Sequence, residues 1–142
     1  GGAGRRRVAP NVTLLEYQHD PRQLAHILAS CDVFVHAGDQ ETFGLVVLEA
    51  MACGLPIVAA RAGALEELIE PTVGETFCAR DPQDLATAIG RLYERDLAAV
   101  GHAARRRAES SSWDTALTQL IGRYWRLMAA PDSSLREVRR AG

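Results

Sequence analysis

The sequence predicts an α/β domain: a Rossmann-like parallel sheet with helices on both faces. Three observations predict it. Short apolar runs alternate with amphipathic stretches along the chain, the order of repeated βα units. The central runs, Val33–His36 (VFVH) and Pro56–Ala60 (PIVAA), read as strands covered on both sides. Turn and cap residues such as Asp20-Pro21, Gly54 and Asp81-Pro82 separate the runs from the helical stretches.

Taken in order, the first seven residues, Gly1-Gly2-Ala3-Gly4-Arg5-Arg6-Arg7, have no hydrophobic period. Residues 1–11 are therefore expected to be a disordered or truncated lead-in, with Arg5–Arg7 a solvated basic loop. Val12–Tyr17 (VTLLEY) reads as a strand between Pro10-Asn11 and His19-Asp20-Pro21. Asp20 is a good N-cap with Pro21 at the first helical position, and Leu24, Ala25, Ile27, Leu28 and Cys31 follow at helical spacing. Val33–His36 is the second strand. The polar loop Ala37–Thr42 leads to a helix over Phe43–Ala52 that stops at Gly54. Pro56–Ala60 is the third strand, Arg61–Gly63 a turn, Ala64–Ile69 a short helix and Val73–Cys78 a fourth strand. Asp81-Pro82 caps a helix with the apolar face Leu85, Ala86, Ile89 and Leu92. A further helix covers about 97–110, and a last amphipathic one starts at Ser111 or Ser112 with Trp113, Leu117, Leu120, Ile121, Tyr124 and Leu127 on its face. Residues 12–130 form the expected domain and 131–142 a flexible tail. Four strands are few for a doubly wound sheet, so the chain reads as the later part of a larger α/β domain.

Composition narrows the function classes. The chain has 142 residues, 47% apolar and 24% charged, which suits one globular domain and excludes a wholly disordered or collagen-like chain. No apolar run approaches the roughly 18–20 residues of a membrane span, and no signal pattern opens the chain, so a soluble, cytoplasmic protein is expected. A net charge of −2 is not the footprint of a nucleic-acid binder. All 16 basic residues are Arg, which leaves no lysine for a phosphate clamp or Schiff base. Cys31, Cys53 and Cys78 are odd in number and lack C-x-x-C spacing, against a disulfide framework or a zinc site. They are expected to be buried small residues.

The stretch His36–Pro56 (HAGDQETFGLVVLEAMACGLP) carries the chemistry. Open α/β sheets bind ligands beyond the carboxyl ends of their strands, where this loop lies. The N–H groups of Phe43 to Val46 and the positive helix end suit a diphosphate, and Gly44 admits a close approach. Glu41 precedes the helix, and Glu49 stands about 12 Å further along the axis if the stretch is helical throughout. Glu49 lies among apolar neighbours in LVVLEAMAC, which predicts a buried carboxylate in need of partners. A ribose diol is a suitable partner. Spacing alone also allows Glu41 to be a loop acid and Glu49 a solvated one.

The same stretch resembles the E-x7-E signature of retaining GT-B glycosyltransferases, family four of the group 1 enzymes. Glu41, Phe43, Gly44, Leu45, Glu49, Ala50, Met51, Ala52, Gly54 and Pro56 match it in one register, with Ile57-Val58 following. The similarity extends over about Val12 to Met128. Ala37 and Ala64 depart from it, where Pro and a second Gly are common.

The resemblance implies the incomplete C-terminal, donor-binding domain of a GT-B fold. It implies that Glu41, Phe43 and Gly44 bind the donor sugar, Leu45 and Val46 the diphosphate, and Glu49 the ribose. His36 and Gln18 are additional candidates. The implied reaction passes a sugar from a nucleoside-diphosphate-sugar, GDP-mannose or a UDP-sugar, to an acceptor hydroxyl with no metal or other cofactor. The acceptor domain and an upstream Arg/Lys pair are not in this sequence, so the chain alone is expected to be inactive. No nucleic-acid partner is implied. Peripheral membrane contact through a lipid acceptor is compatible with the Arg105–Arg107 run. Two alternatives stay open: a non-catalytic nucleotide-sugar-binding fragment or accessory module, and another GT-B enzyme such as a nucleotide-sugar epimerase. The E-x7-E register speaks against the epimerase.

Overall fold

The computed structural model describes residues 5–111, 121 and 122. The chain divides into two compact units, residues 1–108 and 109–142. The expected last helix and tail lie outside the described residues, apart from Ser111, Ile121 and Gly122.

The first unit is built on a three-stranded parallel sheet of β3 (Phe34–His36), β4 (Ile57–Ala60) and β5 (Gly74–Phe77), in the order β3-β4-β5. Phe34, Val35 and His36 pair with Ile57, Val58 and Ala59, and Ile57 to Ala60 pair with Gly74 to Phe77. Every residue of β4 is buried. Because side chains alternate along a strand, Ile57 and Ala59 face one layer and Val58 and Ala60 the other. On the first face they join Val47, Ala50 and Met51 of α2 (Leu45–Ala52) and Leu65 and Leu68 of α3 (Leu65–Leu68). On the second they meet Ala88 and Leu92 of α4 (Pro82–Tyr93) and Val100 of α5 (Leu97–Ser110). Burying Ile57 and Val58 stabilises the domain by about 1.5–3 kcal/mol each. Helices thus cover both faces, as the apolar runs predict.

The helix starts are set locally. The Asp20 carboxylate accepts from Arg22 N at 2.9 Å to open α1 (Pro21–Ala29). Asp81 accepts from Gln83 N and Asp84 N at 3.0 Å to open α4. Glu75 on the outer strand receives Arg91 at 3.1 Å and Arg95 at 2.9 Å, pinning α4 to β5.

Three expectations are corrected. The lead-in is not structureless: Arg5–Ala9 form β1, antiparallel to β2 (Val12–Leu15). This hairpin is a separate two-stranded sheet, so Val12–Leu15 does not join the parallel one. All four β2 residues are exposed; backbone pairing across the Pro10-Asn11 turn, not burial, makes these strands. Finally, Cys31 and Cys78 are exposed and Cys53 is half-buried, so the thiols are not core residues.

Candidate functional site

In a parallel sheet all carboxyl ends lie on one edge. Here that edge carries the Ala37–Gly44 loop after β3, the Arg61–Ala64 turn after β4 and the Cys78–Asp81 segment after β5. Helix α2 starts at Leu45, two residues later than its apolar pattern suggests, because Gly44 takes the left-handed conformation at φ 69°. An added Cβ there would also lie 2.9 Å from Leu68 Cδ2, a side-chain methyl that would have to shift, so the backbone conformation is the stronger demand for glycine. Glu41 is consequently outside the helix, in the loop.

Glu41 is held from several sides. Its Oε1 accepts from Gly44 N at 3.0 Å and Phe43 N at 3.3 Å. His36 Nε2 stands 3.6 Å from Oε2. Its own carbonyl accepts from Ala64 N at 3.3 Å. The N–H groups of Gly44 and Phe43, with His36 adding to them, hold the carboxyl below the usual glutamate range, so it is ionised at neutral pH. Two of the four N–H groups expected to face a phosphate are therefore engaged by Glu41. Leu45 and Val46, which open the helix and lack an earlier helical carbonyl, carry the other two.

Glu49 corrects a further expectation, since it is exposed rather than buried. Helix α2 seats only Val47, Ala50 and Met51 in the core, and Glu49 points away from them. It lines an open groove of about 200 Å³ with Pro21, Leu24, Ala25 and Leu28 of α1, Ala52 of α2 and Cys53, which caps that helix. A carboxylate beside an apolar wall offers hydrogen-bond acceptors next to a surface that a flat ring can cover.

The other candidates divide. His36 lies beside Glu41, as above. Gln18 does not bind either acid: its amide donates to the Glu16 carbonyl at 2.6 Å. Phe43 and Leu45 are 76% and 57% exposed at the helix start, the solvent-facing counterpart of the buried Val47. Sequence reasoning missed three contributors. Gly63, at φ 54°, lets the β4–α3 turn approach the Glu41 carbonyl; an added Cβ would be 2.4 Å from that oxygen. Asp39 and Arg80 form an ion pair across the same edge. The Ala-Gly-Ala turn was a signal for Gly63, whereas no local pattern marks the ion pair.

An open parallel sheet with ligand-facing loops at its carboxyl edge is the architecture of the Rossmann-like α/β proteins. Residues 3–95 match the model of the group 1 glycosyl transferases, and the chain belongs to that family. It is 41% identical over 104 residues to the sulfoquinovosyl transferase SQD2 of Arabidopsis thaliana, covering 69% of this chain and 20% of that protein. It is 39% identical over 103 residues to a GDP-mannose-dependent alpha-(1-6)-phosphatidylinositol dimannoside mannosyltransferase of Mycobacterium tuberculosis, covering 72% and 26%. Among solved structures it resembles sucrose-phosphate synthase of Thermosynechococcus elongatus, with a TM-score of 0.67 at 33% identity over 80% of this chain and 30% of that one. Anabaena HepE in complex with UDP-glucose gives a TM-score of 0.61 at 34% identity over 77% and 30%. These are GT-B glycosyltransferases, and the fold is theirs. The chain spans about a fifth to three-tenths of the length of these relatives.

Proposed function

We propose that this chain is the donor-binding part of a retaining glycosyltransferase. The supporting observation is the placement of two acids on either side of one helix start: Glu41 in the loop before it, Glu49 over the α1–α2 groove. In this reading the ribose diol donates to Glu49, and the base lies along the wall of Pro21, Leu24 and Leu28, with Gln18 at its border. The diphosphate accepts from Leu45 N and Val46 N at the positive end of α2. Sugar hydroxyls meet Glu41 on its Oε2 side and the backbone of Phe43 and Gly44, with His36 orienting the carboxylate.

Transfer forms a bond from the acceptor oxygen to the anomeric carbon, with configuration retained. The bond to the diphosphate breaks, its electron pair stays on the phosphate, and the acceptor proton leaves to that phosphate. The helix start, together with basic residues from the remainder of the enzyme, stabilises the departing charge without a metal. The acceptor site belongs to that remainder as well, so this chain alone turns over no donor. The reading assigns the enzyme to the cytoplasm, with a lipid acceptor reached by peripheral membrane contact. The donor is GDP-mannose or a UDP-sugar: one relative is named for GDP-mannose, and one structural neighbour holds UDP-glucose.

Calorimetric titration of UDP, GDP and ADP into the chain tests the proposal. Binding of UDP or GDP in clear preference to ADP is expected and names the base. Heat of binding for none of the three would overturn the reading.

A further inference from the structure

Arg80 is the one non-glycine residue among those described with a left-handed backbone, at φ 65°. L-residues avoid this region because Cβ crowds the carbonyl, and such strain persists where surrounding contacts enforce it. Burial does not enforce it here, since the Arg80 side chain is 83% exposed. The conformation belongs to the Cys78–Asp81 turn, closed by Asp81 N donating to the Cys78 carbonyl at 3.1 Å, and from that turn the side chain makes a bridge. Arg80 Nε and Nη2 lie 2.8 and 2.7 Å from Asp39 Oδ2, joining residues that are 41 positions apart.

The place of this bridge is informative. Asp39 lies three residues beyond the end of β3, and Arg80 three residues beyond the end of β5. Strand β4 separates these two strands, so the pair spans the carboxyl end of β4. Among the described residues, it is the one side-chain hydrogen bond made by Gly38–Gln40. The rest of the loop is fixed further along, where Glu41 meets Ala64, Phe43 and Gly44. The approach to Glu41 is thus anchored on one side by the strand end and on the other by Arg80.

We propose that Arg80 is a positioning residue: through Asp39 it holds the loop that carries Glu41 in place beside His36, the last residue of β3, at the sheet edge. Its consequence for a sugar donor rests on the function proposed above, whereas the holding of the loop does not. An exposed ion pair contributes little to global stability, so its effect belongs in the loop and not in the melting temperature. Glycine suits φ 65° better than arginine, which separates the two roles experimentally.

The test is amide hydrogen exchange over residues 37–44 in the full chain, with thermal melting measured alongside. Arg80→Gly and Asp39→Asn are each expected to speed exchange there by about fivefold or more, with no fall in the melting temperature. The double variant is expected to exchange no faster than either single one, since both remove the same bridge. The reciprocal swap, Asp39→Arg with Arg80→Asp, is expected to restore protection. Unchanged exchange in both single variants, or additive increases in the double, would overturn the proposal. This readout needs no ligand, so a chain that binds neither UDP nor GDP defeats the donor reading while the exchange data still decide the role of Arg80.

Discussion

Glu49→Ala is expected to weaken binding of the preferred nucleotide by about tenfold to a hundredfold. A hydrogen bond to a charged group contributes about 1.5–3 kcal/mol, and each 1.4 kcal/mol is about a factor of ten in affinity. The fold is expected to survive the change. Glu49 is exposed, and the core side of α2 is made by Val47, Ala50 and Met51. Calorimetry on both proteins, with melting as the control, reads the effect directly. Glu49→Gln keeps an acceptor oxygen and loses the charge, so it is expected to fall between the two. Equal affinity in wild type and Glu49→Ala would remove this acid from the ribose role and leave the apolar groove without a polar anchor.

Gly63→Ala is the second large effect, and it acts on stability and site together. The residue sits at φ 54°, and the new Cβ would lie 2.4 Å from the Glu41 carbonyl oxygen. That neighbour is backbone and cannot rotate away. The left-handed conformation alone costs about 1–2 kcal/mol for an L-residue. Displacing Glu41 also strains the bond from Ala64 N to its carbonyl. A total loss of about 2–4 kcal/mol is expected in chemical denaturation. Because the strain is delivered to Glu41, affinity for a nucleotide-sugar is expected to fall more than affinity for the bare nucleotide. A variant within about 0.5 kcal/mol of wild type would show that the turn and the loop do not constrain one another.

Much of this arrangement was legible in the sequence because it is set over short distances. Asp20-Pro21 and Asp81-Pro82 announce α1 and α4, since a capping carboxylate acts on amides two or three residues away. The uninterrupted apolar run at Ile57–Ala60 is the mark of a strand with helices on both sides, and it became the buried centre of the sheet. The paired acids and the glycine of the helix start likewise sit within one short stretch.

What was misread depends on contacts between distant segments. Val12–Leu15 has the composition of a core strand, yet its partner is the Arg-rich segment before it; an apolar run does not name its neighbour. Glu49 has apolar residues on either side in sequence, but on a helix those residues point in several directions, and only one face of α2 is buried. Gly44 starts the helix later than periodicity suggests and places Glu41 where it caps two amides. The Asp39–Arg80 bridge links loops from strands that do not touch, so no window of sequence contains it.

The central claim is that the two acids divide the donor between them, Glu41 taking the sugar and Glu49 the nucleoside. The most direct measurement compares a bare nucleotide with its sugar-bearing form, UDP against UDP-glucose or GDP against GDP-mannose, on wild type and Glu41→Ala. The account predicts that Glu41→Ala binds the bare nucleotide as wild type does and loses the added affinity the sugar confers. Equal losses for both ligands, or no loss for either, would contradict it.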